Sequence, residues 1–184
     1  MDPVRSDECT PWSEVAVATP PRTTLDLLLD QPLPDAVADL DAVLRHGLVT
    51  LPQIAALVEG RSDKGIVRAR HAMELADPRA ESRPESRVRV WLVLDGLRPE
   101  PQCWIEDLHS RLLRADLAFP EHKVAVEYDG SWRDGELWAL NRDRDRLNRV
   151  QAAGWEIVFV TAQLLHDPAR MVSTVRAALN RRRR

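Results

Sequence analysis

Residues 112–130 read LLRADLAFPEHKVAVEYDG. Two apolar runs rich in Val, Leu and Phe flank Pro120-Glu121-His122, which is the pattern of a β-hairpin. By strand alternation Leu113, Ala115, Leu117 and Phe119 share one face of the first arm, with Arg114, Asp116 and Ala118 on the other. In the second arm Val124, Val126 and Tyr128 alternate with Ala125, Glu127 and Asp129. A tip at Glu121-His122 pairs Phe119 with Val124, and the same register sets Asp116 across from Glu127. Opposed residues have Cβ atoms about 4.5–5.5 Å apart, and like charges there are destabilising. A divalent cation between the two acids would remove that penalty. Acids also alternate with apolar residues on any half-exposed strand, so alternation alone equally allows both to face water.

The composition bounds the class of protein. A chain of 184 residues, 44% hydrophobic and 30% charged, is that of a globular protein of one domain, or of a small domain with an appendage. No apolar run approaches the ~20 residues of a membrane span, and the N-terminus lacks a signal-peptide pattern. Cys9 and Cys103 have neither metal-ligand nor redox spacing, so the expectation is two unpaired thiols in a cytoplasmic protein. The net charge of −3 is uneven: residues 81–184 carry 18 Lys and Arg against 16 Asp and Glu, and residues 1–80 carry 8 against 13. Much of the basic excess is the terminal Arg181-Arg182-Arg183-Arg184, which can contact phosphates or stay solvated.

Along the chain, residues 1–19 show no sustained period and read as a disordered tail. Helical signals follow over residues 20–78: leucine-rich Thr23 to Asp30, a helix opened by Pro34 and stopped by Gly47, a Thr50-x-x-Gln53 capping box, and Ile66 to Ala76. Asp77-Pro78 to Pro84 is polar and places the domain boundary at 78/79. Ser82-x-x-Glu85 is a second capping box, heading a helix to about Leu94. Residues 102–106 read as a strand before the hairpin, Asp129-Gly130 as a turn signal, Ser131 to Glu136 as a loop, and Leu137 to Ala153 as a helix. Trp155 to Val160 is near-continuously apolar, as in a strand covered on both sides, and Asp167-Pro168 opens a last amphipathic helix. The order helix, three strands, helix, strand, helix gives an α/β domain with a mixed sheet flanked by helices, preceded by a small helical segment.

Three stretches, ESRVRVWLVLDGL, RADLAFPEHKVAVEYDG and RDRDRLNRVQAAGWEIV, together resemble the PD-(D/E)XK nuclease core. More closely they resemble a small bacterial domain family related to very-short-patch repair endonucleases. The resemblance covers about residues 81–180 and implies a restriction-endonuclease-like domain over 79–184, with DNA as partner and Mg²⁺ or Mn²⁺ as cofactor. It implies Asp116 and Glu127 as metal ligands, the Tyr128 carbonyl near the same site, and Glu85 as an outer or second-metal ligand. Glu85 has a structural alternative as the capping-box residue. Two positions after Glu127 the motif would have Lys, and this chain has Asp129; relatives also carry His where this chain has Ser131-Trp132-Arg133. Arg133, Arg142 or Arg146 could supply the missing cation, with Arg114, Arg142 and Arg146 as phosphate contacts. The activity implied is DNA phosphodiester hydrolysis of nicking or repair type. The alternative is a decayed site on a nucleic-acid-binding or regulatory module.

A second stretch, PRTTLDLLLDQPLPDAVADLDAVLRHGLVT, resembles the C-terminal portion of abortive-infection type IV antitoxin-like proteins. That family usually has a winged helix ahead of this region, and residues 1–19 are too short to form one. A protein partner or self-association through the leucine-rich helices of 22–76 is a further, weaker expectation. The opposed acids also predict that metal-free Asp116→Asn melts at or above the wild type.

Overall fold

The computed structural model describes residues 8–12, 15–110, 112–130 and 137–183, the side chains of the helix over 137–152 being described from residue 145 onward. The chain divides into two compact units, residues 1–87 and 88–184.

The first unit opens on a two-stranded antiparallel hairpin, β1 (Cys9–Trp12) and β2 (Val15–Ala18). This corrects the expectation of disorder across 1–19: strands of four residues are too short to carry a readable period, and a buried acid anchors them. Glu8 is 1% exposed, and its carboxylate is held by Arg22 at 2.5 Å and by Arg61. Helices α1 (Pro20–Asp30), α2 (Leu33–Arg45), α3 (Leu51–Val58) and α4 (Ile66–Leu75) follow. Thr19 Oγ1 caps α1, and the Thr50 amide donates to Gln53 Oε1 at 2.8 Å in the capping box that heads α3. Their core is Leu25, Leu28, Val37, Leu40, Ile54, Ala69 and Ala72, all fully buried.

Helix α5 (Arg83–Leu94) crosses from one unit to the other, so the division falls inside it and not at the polar linker. The reason is Asp41 of α2, whose carboxylate accepts from the Asp77 amide at 2.6 Å and the Ser86 hydroxyl at 2.6 Å. Those two bonds fasten the linker and the head of α5 to the first unit.

The second unit is a four-stranded mixed sheet in the order β3-β4-β5-β6: β3 (Glu100–Glu106), β4 (Leu112–Phe119), β5 (Val124–Asp129) and β6 (Glu156–Thr161). β3, β4 and β5 are antiparallel neighbours, and β5 runs parallel to β6 through the crossover helix α6 (Leu137–Ala152). Short α7 (Ala162–Leu165) and long α8 (Pro168–Arg182) complete it, α8 being capped by the Asp167 carboxylate. A single 3-10 turn over Pro120–His122 joins β4 to β5, with Lys123 closing it at φ +50. The observed pairs are Phe119↔Val124, Ala118↔Ala125 and Leu117↔Val126, the register read from the sequence.

One face carries Leu117, Phe119, Val124, Val126, Val158 and Val160, packed with Val88 and Leu92 of α5 and Met171, Val175 and Leu179 of α8. A separate cluster joins Leu113, Ala115, Ile105 and Ala125 to Val150 of α6. The four residues Leu113, Ala115, Leu117 and Phe119 therefore do not share one core, contrary to simple alternation. The change falls at Asp116. The residue that the register places across from it on β3, Gln102, has the left-handed backbone angle φ +54. A non-glycine residue held there departs from the extended strand conformation, and the β3–β4 pairing skips it.

Candidate functional site: an acid pair on adjacent strands with an arginine between them

Asp116 directly precedes Leu117 on β4 and Glu127 directly follows Val126 on β5, so the two acids lie on neighbouring strands one step beyond the last observed pair, Leu117↔Val126. Glu127 is 7% exposed and Asp116 is half-buried. Glu127 lies one alternation beyond Ala125, on the side of the sheet that α6 covers.

The expectation of two uncompensated carboxylates is corrected by what surrounds them. The Asp116 carboxylate accepts from the Tyr128 amide at 2.9 Å, so it takes a main-chain donor of the facing strand. Glu127 is held by Arg146 of α6, with Nη1 donating to Oε2 at 2.7 Å and Nη2 to Oε1 at 2.6 Å. This is a bidentate fork, the strongest common form of the carboxylate–guanidinium bond. Nη2 also donates to the Arg114 carbonyl at 2.5 Å, tying α6 to β4 beside the acids. The hydrogen bonds with Glu127 hold the Arg146 guanidinium above its ordinary pKa against the opposing effect of burial, helped by the charges of Glu127 and Asp116. Arg146 therefore lies in the field of both acids. One turn further along α6, Arg149 pairs with the buried Asp107 just after β3 at 2.7 Å and fixes the helix over the ribbon.

The remaining candidates fall in several places. Asp129 is the last residue of β5, opposite Thr161 of β6, and is not a turn residue. The strand takes in Asp129 because parallel pairing with β6 runs to that position. Arg114 stacks its guanidinium over the Trp104 ring at 5.6 Å, and its carbonyl serves Arg146. Glu85 belongs to the first unit, where it accepts from the Ser82 hydroxyl at 2.7 Å and the Glu81 amide at 2.9 Å. The capping role is thus observed, with the Glu81 amide taking the place expected of Ser82. Arg133 and the loop around it lie outside the described residues, as does the side chain of Arg142. Sequence reasoning missed Gln102, Arg149 and Asp107. The mixed-sign run of residues 142–146 marked α6 as polar, without showing which cation faces the sheet.

The resemblance implies a divalent ion, and the donor set fits one in kind: two carboxylates from adjacent strands suit a hard cation that keeps several waters. Among the described residues no group of three or more His, Cys, Asp and Glu gathers to hold a metal. Both Glu127 oxygens accept from Arg146, so an ion ligating Glu127 would meet the guanidinium's positive charge on the same carboxylate.

The chain is similar to uncharacterized proteins from two strains of Mycobacterium tuberculosis, each 36% identical over 154 residues. The match takes in 82% of this chain and 56% of each relative, so the chain spans about half the length of the curated relatives it matches. No family model and no solved structure matches it. Among the described residues no helix is long and apolar enough to cross a membrane.

Proposed function

We propose that the second unit is a divalent-metal-dependent nuclease domain that hydrolyses DNA phosphodiester bonds, of nicking or repair type. The observation that carries the reading is the placement of the acids: Asp116 and Glu127 lie on adjacent strands one step beyond the Leu117↔Val126 pair, with the Tyr128 amide on Asp116 and the Arg146 guanidinium on Glu127. The mixed sheet with a helical crossover is the architecture that the resemblance to restriction-endonuclease-like domains implies. Asp116 and Glu127 would hold Mg²⁺ or Mn²⁺, which when bound supplies an activated water and relieves charge on the phosphorane-like transition state.

The protein's own groups have separable tasks. The Tyr128 amide fixes the Asp116 carboxylate, so that oxygen is aimed before any ligand arrives. Asp129 stands where the motif has Lys and brings no positive charge. Arg146 is a cation already placed at the acids; it stays protonated and so cannot act as general base, but it can hold a phosphate and stabilise developing charge. The experiment is incubation of supercoiled plasmid with Mg²⁺ or Mn²⁺, comparing wild type with Asp116→Ala. Conversion to nicked or linear DNA by wild type alone is expected. Equal conversion by both proteins would remove the acid pair from the reaction.

A second reading is favoured by one observation, the saturation of Glu127 by Arg146 together with the absent Lys. On that reading the same fold is a nucleic-acid-binding or regulatory module without cleavage. Salt-sensitive binding of DNA with no cleavage in any divalent metal would select it, because phosphate contacts release counterions.

A further inference from the structure

The Arg146 guanidinium meets three oxygen acceptors at once: both oxygens of Glu127 and the carbonyl of Arg114. It also lies in the field of Asp116. A hard divalent ion drawn to this acid pair needs oxygens of the same carboxylate. Each Glu127 oxygen keeps a further lone pair, but a divalent ion there would meet the positive charge of the guanidinium on the same carboxylate, so the two cations compete for Glu127.

The helix cannot simply move away with its arginine. Val150, one turn along α6, is buried against Ala115 and Ala125, and Arg149 is bound to Asp107 at 2.7 Å. The backbone of α6 is held at two points while the Arg146 side chain keeps 30% of its surface open to solvent. The side chain has a way out; the helix does not.

We infer that Arg146 is the resident counter-cation of the acid pair, and that a divalent ion binds by displacing its guanidinium from Glu127. The inference rests on the metal-dependent reading of the site. It adds that the two cations are alternatives and that metal entry places the freed guanidinium at the rim of the site, where a phosphate arrives. Arg146 then serves in turn as lock and as phosphate contact. A further consequence is that the arginine weakens metal affinity: the measured Kd is the intrinsic Kd divided by the fraction of molecules with the fork open.

The test is calorimetric titration of the full chain with Mn²⁺ at fixed ionic strength, for wild type, Arg146→Gln and Arg146→Lys, with circular dichroism checking the fold of each. Arg146→Gln should bind Mn²⁺ more tightly than wild type by about tenfold or more, the factor expected if the closed fork holds nine molecules in ten. Arg146→Lys, a single charge without the fork, should fall between them. A purely structural arginine would give the opposite order, with metal affinity lost along with packing. In wild type itself, the nitrogen-15 resonance of the Arg146 side chain should shift as Mg²⁺ is added, a readout that needs no variant. Mn²⁺ binding of equal or lower affinity in folded Arg146→Gln, with an unmoved arginine resonance in wild type, overturns the inference and leaves the metal site standing. Failure of all three folded proteins to bind Mn²⁺ overturns the inference and the nuclease reading together.

Discussion

Glu8 in the first unit and Glu127 in the second are both clamped by arginine, but the clamps differ in what they leave open. Glu8 is 1% exposed and takes two guanidinium partners, Arg22 and Arg61, whose side chains are each 2% exposed. Its network joins the chain ahead of β1, helix α1 and the segment after α3, with Asp26 on Arg22 and Asp63 on Arg61 as further partners. Among the described residues Glu127 takes one guanidinium, from a helix over the sheet, and that partner is 30% exposed. A clamp whose guanidinium groups are both buried acts as a staple, since solvent ions do not reach its cations. A half-open clamp at the end of a strand can trade its cation for another. The contrast separates a buried ion network that holds the fold from one that is suited to chemistry.

Breaking the staple should have the largest effect. Glu8→Gln leaves two buried guanidinium groups without their shared anion, and removing one partner of a buried pair typically costs about 3–5 kcal/mol. Urea unfolding monitored by circular dichroism should show that loss, and a change below about 1 kcal/mol would mean the network is hydrated and not a staple. Opening the second clamp should cost less. In metal-free protein Arg146→Ala strands a nearly buried carboxylate, for which about 1.5–3 kcal/mol is expected from the lost charged hydrogen bonds. Unlike the first loss, this one should be recovered in part by adding Mn²⁺.

Asp116 sharpens the same comparison at smaller scale. Asp116→Ala removes the acceptor of the Tyr128 amide and should cost about 1 kcal/mol, whereas Asp116→Asn keeps an oxygen there and should cost less. The expectation that Asp116→Asn would match or exceed wild type assumed two opposed charges with nothing between them. With Arg146 bound to Glu127 and attracted by Asp116 as well, removing one charge weakens an attraction as well as a repulsion, so a small loss is expected in thermal melts. Smallest of all is the surface pair of Arg181 and Glu156, 60% and 27% exposed. Glu156→Gln should change stability by about 0.2–1 kcal/mol, an amount that shrinks further in high salt.

How much of this was legible depended on the range over which each signal acts. The hairpin tip was readable because Pro120 and the flanking apolar runs act locally, and the pairing of Phe119 with Val124 followed from it. Helix starts at Thr50 and Ser82 were readable for the same reason: a capping box spans four residues. The fork between Arg146 and Glu127 was not, because it joins residues 19 apart through the packing of α6, and the run of 142–146 offers several cations in alternation. The change of core at Asp116 was hidden as well. Apolar residues continue at 113, 115, 117 and 119 whichever face they serve, and a left-handed Gln102 has no sequence mark. The β1–β2 hairpin was missed since a lone Glu8 gives no hint that two distant arginines will bury it.

The most direct test of the central claim, that Asp116 and Glu127 form a divalent-ion site, is a crystal grown or soaked with Mn²⁺ and examined for anomalous scattering. The account predicts a peak between the two carboxylates, at ligand distances of about 2.1 Å as for small hard cations, with the Arg146 guanidinium turned off Glu127. Density showing the fork still closed, with no anomalous peak at the pair, would contradict it.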